Sequence, residues 1–239
     1  MEYLAAFGIG CIGCGVNMVC GFGFGILAMM VMPFLMDSAM GAAAFVNIVT
    51  LFQASWILFR YHGSVRWSLM AVPLASYFVV SFLVVRYASG LANDTLKIML
   101  GVFLIVLSIY FVFFAKRVRM KPGVPNGVLA GALGGVMSAL FSVGGPPVSL
   151  YFSAATEEKE AYLATIQTYF LFSNIYIVAL RAVHGIITKN VLLCSAFAVV
   201  GMALGTYLGS TVLRRISADA MRKTIYGMMA ACGLAMILF

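Results

Sequence analysis

Residues 3–36 read YLAAFGIGCIGCGVNMVCGFGFGILAMMVMPFLM, a run of 34 residues without a charged side chain. A second uncharged run, residues 122–156, spans 35 residues in the other half of the chain. Because a membrane core of about 30 Å needs only about 20 helical residues, each run is too long for one ordinary crossing. Glycine also interrupts both runs, at residues 21–25 and 144–147. Paired interruptions of this kind predict a transporter substrate site, since irregular backbone at membrane depth occurs only where it is buried in protein or lines a cavity.

The composition is that of a membrane protein. Hydrophobic residues make up 64% of the chain and charged residues 9%, whereas a soluble domain has about 25% charged residues. Division at the charged residues gives eight apolar segments: 3–36, 38–59, 67–85, 98–115, 122–156, 161–180, 190–213 and 224–239. We therefore predict an all-α, polytopic protein with one integral membrane domain in the lipid bilayer. The formal charge of +8 lies in short loops, which fits the positive-inside rule rather than nucleic-acid binding.

The two halves of the chain are predicted to be repeats of four segments each. The first membrane repeat covers residues 1–115, a basic linker covers 116–126, and the second repeat covers 127–239. Three features recur in the same order at shifts of 120 to 122 residues: His62-Gly63 with His184-Gly185, Gly23 with Gly145, and Asn47 with Gln167. A duplication explains their common order along the chain.

The distribution of Lys and Arg favours inverted repeats. If segments 1 and 5 cross the membrane fully, the two sides carry eight and seven of these residues. If both segments are re-entrant, the sides carry eleven and four, the four being Arg86, Lys97, Arg181 and Lys189. Only the second count shows the excess of Lys and Arg on one side that is typical of membrane proteins. It predicts three crossings per half, with the termini outside the cytoplasm and the linker inside, in a multi-pass protein of the cell inner membrane. Full crossing remains the alternative.

The apolar segments contain no Asp or Glu. A proton-carrying carboxylate or an oxygen-rich cation site at mid-membrane depth is therefore not expected. Half-helices that start after Gly25 or Pro147 would present free N–H groups and a positive dipole end to a ligand. The glycines would permit positive φ and a close approach to the backbone. This chemistry suits an anion or a polar neutral solute.

Twelve residues from the two interruptions and from segments 1, 2, 5 and 6 form the predicted substrate site: Asn17, Gly21, Gly23, Gly25, Asn47, Gln53, Ser142, Gly144, Gly145, Pro146, Gln167 and Asn174. Interhelical hydrogen bonding is the alternative role for the Asn and Gln side chains, and helix packing is the favoured role for glycines outside the interruptions. His62 and His184 are either proton-sensitive gates or, as we favour, interfacial residues at helix ends. We expect no catalytic residue, metal ligand or cofactor.

Two motifs give the chain a family resemblance. They are Gly21-Phe-Gly-Phe-Gly25 and Ser142-Val-Gly-Gly-Pro-Pro147, the latter followed by Val-Ser-Leu-Tyr-Phe. With the duplicated architecture and the length, they make the whole chain similar to the TauE/SafE family of sulfite exporters and related anion permeases. Phe22 and Phe24 interleave glycines where the family more often has consecutive glycines. The resemblance implies transport of sulfite, sulfonates or similar organosulfur anions, whereas the residues themselves indicate only a small anion.

The favoured function is secondary transport of a small anion bound between the two interruptions. The alternative is an anion channel with the same site and no alternating access. An intramembrane enzyme would need a nucleophile and a base, or metal ligands, at one depth, and the segments offer no such set. A purely structural subunit would not need the paired interruptions. The sequence leaves open the exact substrate, the direction of transport, the coupling ion and the oligomeric state.

Overall fold

The computed structural model describes residues 1–88, 92–113 and 122–211. Its α-helices within these ranges are α1 (Glu2–Cys20), α2 (Phe24–Leu35), α3 (Ala39–Tyr61), α4 (Ala71–Ala88), α5 (Asn93–Phe113), α6 (Val124–Phe141), α7 (Gly145–Ala155), α8 (Lys159–Val183) and α9 (Lys189–Thr211). Two short 3₁₀ turns, His62–Ser64 and Trp67–Leu69, connect α3 to α4. The predicted segment 224–239 and the linker residues 116–121 lie outside the described residues.

The helices have the length and composition of membrane spans. In the described part of the chain, six of them are long and apolar enough to cross a membrane: α1, α3, α4, α6, α8 and α9. Helix α2 is apolar but has only 12 residues, which at 1.5 Å per residue is too short to cross a core of about 30 Å. The chain is thus a multi-pass, all-helical membrane protein, as the composition predicts.

Each long uncharged run contains two helices separated by three residues. Helix α1 ends before Gly21, which is left-handed at φ 80°, and α2 begins after Gly23 at φ 127°. Helix α6 ends before Ser142, also left-handed at φ 57°, and α7 begins after Gly144. Pro146 lies in the first turn of α7, where a missing N–H costs no intrahelical hydrogen bond. We refer to residues 21–23 as the first break and to residues 142–144 as the second break.

The helix after each break folds back on the helix before it. Successive residues of α7 face progressively earlier residues of α6. Likewise, α2 begins beside the last turns of α1. Each run is therefore an antiparallel helical hairpin. The facing pairs are Gly134 with Val148 and Gly127 with Tyr151 in one hairpin, and Val16 with Gly23 and Gly13 with Phe24 in the other.

The central helices α3 and α8 also pack antiparallel. Asn47, in the first half of α3, contacts Asn174 and Arg181 in the second half of α8. Past the other end of α3, the backbone N–H of Arg66 donates to Thr165 Oγ1 at 3.0 Å, near the start of α8. These contacts place the beginning of one helix beside the end of the other, with both breaks alongside.

Glycine allows close packing of the remaining helix pairs. Helix α9 carries glycines four residues apart that face the backbone of α1, and α6 carries a matching series that faces α4. A Cβ atom on most of these glycines would overlap the neighbouring helix, so small residues permit the contact, as predicted for glycines outside the breaks. The two series are Gly201, Gly205 and Gly209 on α9, and Gly127, Gly131 and Gly135 on α6.

Candidate functional site

The two breaks are in contact at the centre of the helix packing. A Cβ atom on Gly145 would lie 2.8 Å from Phe22 Cβ, and a Cβ atom on Gly25 would overlap the carbonyl oxygen of Ser142. The start of α2 thus lies against the second break, and the start of α7 lies against the first. Neither contact leaves room for a side chain at the glycine.

A cavity of about 40 Å³ lies between the breaks. One water molecule needs about 10–15 Å³ of such space, so the cavity has room for a ligand of a few non-hydrogen atoms. Polar residues of α3, α4, α6 and α8 complete its lining, among them Thr50, Tyr77, Ser138, Tyr169 and Ser173. Nine of the twelve predicted site residues line it: Asn17, Gly23, Gly25, Asn47, Ser142, Gly144, Gly145, Pro146 and Asn174.

The other three predicted residues lie outside the cavity lining. Gln53 accepts a hydrogen bond from Asn17 Nδ2 at 2.6 Å and donates to the Cys14 carbonyl at 2.7 Å. Gln167 Nε2 donates to the carbonyl oxygen of Gly21 at 3.1 Å. Both side chains therefore connect helices, which is the alternative role considered for them, and Gly21 serves as the left-handed end of α1.

Both half-helices begin at the cavity without a side-chain cap. The first N–H groups of a helix have no intrahelical acceptor and carry the positive end of its dipole. Residues 24–26 of α2 line the cavity, and the first intrahelical bond from this end is that of Leu27 N–H to Gly23 oxygen at 3.1 Å. Helix α7 offers fewer donors, because Pro146 and Pro147 have no N–H. The start of α2 is therefore the richer donor.

The glycines of the two breaks and of the following helix starts have two different uses. Gly23 has φ 127°, a conformation that favours glycine. Gly25, Gly144 and Gly145 do not use this freedom: none of them is among the described glycines with positive φ, and Gly144 has φ −73°. Gly25 and Gly145 are required instead by their close contacts with the opposite break.

Arg181 differs most from the sequence prediction, which counted it among the loop charges. It is 0% exposed, in the last turn of α8. Its guanidinium donates to Asn47 Oδ1, to Ser142 Oγ at 3.0 Å, and to the carbonyl oxygens of Ser138 at 3.2 Å and Ala139 at 2.8 Å. Helix α8 extends beyond Arg181, and the side chain turns inward because the last carbonyls of α6 carry the negative end of a helix dipole.

The site therefore has a buried cation beside it, although the sequence analysis placed Arg181 among the loop residues. Asn47 and Ser142 line the cavity, so the positive charge of Arg181 lies one residue behind its wall. No Asp or Glu is buried in the part of the chain that the structure describes. One pattern in the sequence indicated this position, since Gln167, Asn174 and Arg181 recur every seven residues and share a helix face.

Comparison with known proteins agrees with this architecture. The family model described as Sulfite exporter TauE/SafE matches residues 6–236. A curated protein of Cupriavidus necator, "Probable sulfite/organosulfonate exporter TauE", is 24% identical over 224 residues, which cover 92% of this chain and 88% of that protein. No solved structure matches the chain. The apolar helices and the family match across nearly the whole chain show that the protein belongs to the TauE/SafE family of sulfite exporters, whose members are membrane transporters and not enzymes.

Proposed function

We propose that this protein is a secondary transporter of sulfite or a closely related small organosulfur anion in the cell inner membrane. The substrate binds in the cavity between the two breaks. One observation carries the proposal: two helix N-termini without side-chain caps begin at the same cavity. No carboxylate is buried beside this cavity among the described residues. Helix N-termini are established anion-binding positions, because their N–H groups and dipole both favour negative charge.

The electrostatics of the cavity favour an anion over a cation. A bound cation would meet the positive ends of α2 and α7 and the nearby charge of Arg181, and no acidic side chain is buried among the described residues to offset them. A bound oxyanion would meet N–H groups of α2 together with the side chains of Asn17 and Thr50. Hydrogen bonds from these donors to an oxyanion are stronger than those to a neutral acceptor, because the oxyanion is charged.

The size of the cavity favours the smaller members of the substrate class. Sulfite has one sulfur and three oxygen atoms, which suits a volume of about 40 Å³. A sulfonate with a longer organic group would require the breaks to separate, because Gly25 and Gly145 already touch the opposite break. We therefore propose that sulfite is the preferred substrate.

The packing of the helices supports an inverted repeat built from residues 1–115 and 127–239. The corresponding helices α3 and α8 run antiparallel. A pseudo-two-fold axis in the membrane plane that relates the two repeats would explain this arrangement. The breaks match at a shift of 121 residues, with Gly21 and Ser142 as left-handed helix ends and Gly23 and Gly144 as the residues before the next helix. The two hairpins are then re-entrant, and rocking of one repeat against the other would expose the cavity to each side in turn.

Central amides also cross between the proposed repeats. Asn47 of α3 accepts a hydrogen bond from Ser142 of the second break at 2.9 Å. Gln167 of α8 donates to Gly21 of the first break at 3.1 Å. Each repeat thus supports the break of the other, so that movement of one repeat would change the geometry around the substrate.

Transport by the purified protein in liposomes tests the proposal. We expect saturable sulfite uptake that a short sulfonate inhibits, and faster uptake of labelled sulfite when unlabelled sulfite is present inside. Acceleration by internal substrate requires alternating access, whereas a channel would show none. Protein-free liposomes are the control. Uptake of a cation or an uncharged solute, with no response to any oxyanion, would refute the proposal.

A further inference from the structure

Two buried tyrosines lie side by side at the cavity, and among the described residues only one of them has a hydrogen-bond partner. Tyr77 and Tyr169 are each 1% exposed, and both line the cavity. The Tyr77 hydroxyl donates to Ser138 Oγ at 2.9 Å. The Tyr169 hydroxyl is buried with no partner among the described residues. A buried polar group without a partner is unfavourable and calls for an explanation.

The ring of Tyr169 is held in place by its aromatic neighbours. Its centroid lies 5.8 Å from that of Tyr77 and 5.6 Å from that of Phe152, and both contacts are edge-to-face. A ring packed in this way cannot swing its hydroxyl to a distant partner, because close-packed interiors leave no empty volume for it. The ring therefore keeps its position in the lining of the cavity.

The hydroxyl also lies close to the second break. A Cβ atom on Gly134 would be 3.7 Å from Tyr169 Oη and 3.2 Å from the carbonyl oxygen of Gly144. The hydroxyl is thus near the start of α7, where Pro146 and Pro147 leave few backbone donors. A phenolic O–H would supply a donor near the second break, in addition to the N–H groups of α2.

We propose that the Tyr169 hydroxyl donates a hydrogen bond directly to the bound oxyanion. This inference rests on the proposed function, because it assigns a ligand to the same cavity. The anion would complete the hydrogen bonding of the hydroxyl, and the negative charge would strengthen the bond. Tyr169 is then a substrate-binding residue that favours oxyanions over solutes unable to accept this bond.

The pair of tyrosines provides a matched experiment. Sulfite affinity of the purified protein is measured by calorimetry and apoprotein stability by thermal unfolding, for wild type, Tyr169→Phe and Tyr77→Phe. For Tyr169→Phe we expect an unchanged or higher Tm without sulfite, since an unpaired hydroxyl is removed, and a sulfite Kd raised about tenfold or more. For Tyr77→Phe we expect a lower Tm without sulfite, since Ser138 loses its partner.

Each other outcome has a defined meaning. If the wild type binds sulfite and Tyr169→Phe binds it equally well, the inference is overturned and the proposed function stands. A loss of apoprotein stability in Tyr169→Phe as large as that in Tyr77→Phe would show that the hydroxyl has a structural partner, and would also overturn the inference. If the wild type binds no oxyanion, the proposed function fails and this assignment fails with it.

Discussion

At the scale of single residues, the charge of Arg181 lies where it can act on the cavity. In the described part of the chain its hydrogen-bond acceptors are neutral: two are carbonyl oxygens at the end of α6, and two are side chains that line the cavity. Neutral acceptors satisfy the N–H groups of a guanidinium but do not cancel its charge. The charge is offset in part by the negative end of the α6 dipole. The remainder favours an anion in the cavity.

Replacement of Arg181 tests this contribution. We expect Arg181→Gln to raise the Kd for sulfite about tenfold or more, because it removes a buried charge beside the cavity. Arg181→Lys should restore part of the affinity, since it keeps the charge but loses the forked geometry. Binding is measured by calorimetry on the purified protein. A Kd for sulfite that is lower in Arg181→Lys than in Arg181→Gln would show that the charge contributes to binding, and not the packing of the side chain alone.

Arg60 provides the matched control for this measurement. It lies in the last turn of α3, the position that corresponds to Arg181 in α8, but its side chain is exposed. Arg60→Gln should leave the Kd for sulfite unchanged. Wild-type affinity in Arg181→Gln would contradict the role that we assign to the buried charge.

At the scale of helices, glycine sets the distance between α4 and α6. A Cβ atom on Gly131 would overlap the Pro73 carbonyl and the Ser76 hydroxyl oxygen. The same Ser76 hydroxyl donates to the carbonyl oxygen of Val128 at 3.1 Å, so backbone contact and hydrogen bonding occur together at this interface. The position of α6, and with it the second break, depends on this close approach.

Gly131→Ala is therefore expected to lower the thermal stability of the purified protein. Overpacking at a close interface costs about 1–3 kcal/mol in the free energy of unfolding. Gly8→Ala makes the same chemical change within α1, where a Cβ atom would have no neighbour within 4 Å. It should be neutral or slightly stabilising, because Ala favours the helix. Equal stability of the two variants would argue against glycine-mediated packing of α4 and α6.

At the scale of the whole molecule, the proposed topology separates positive charge between the two membrane faces. Because Arg181 is buried, it no longer counts as a loop residue, and the two sides of the re-entrant model carry eleven and three basic residues. The excess of basic residues on one side is then greater than the excess counted from the sequence alone. The positive-inside rule places that side in the cytoplasm, together with the linker and the loop after α3.

Labelling of single cysteines tests this topology in whole cells. His62 and His184 follow the ends of antiparallel helices α3 and α8, and both are exposed. In a background without the five native cysteines, a membrane-impermeant maleimide added outside should label His184→Cys and not His62→Cys. Both should react in permeabilised cells. The reverse pattern would contradict the orientation, and labelling of both from outside would contradict the inverted repeat.

Local features of the sequence determined the protein class, the breaks and most of the cavity. Long uncharged runs can be stable only in a membrane, and glycine and proline set the helix ends by their own backbone geometry, as at Gly23 and Pro146. Asn47 and Asn174 were identifiable because polar side chains are rare in such segments. For these residues the local sequence already restricts the structure that forms.

The tertiary structure decided which side chains face the cavity and which of them lack a partner. Arg181 ends an apolar segment, so its sequence position alone is typical of a loop, and only the packing of α8 against the end of α6 buries it. Gln53 and Asn47 belong to the same helix, but one connects α1 to α3 and the other lines the cavity. The Tyr169 hydroxyl, which has no partner within the described ranges, is likewise defined by its neighbours in space. Burial and hydrogen bonding depend on residues distant in the chain, which local sequence patterns do not encode.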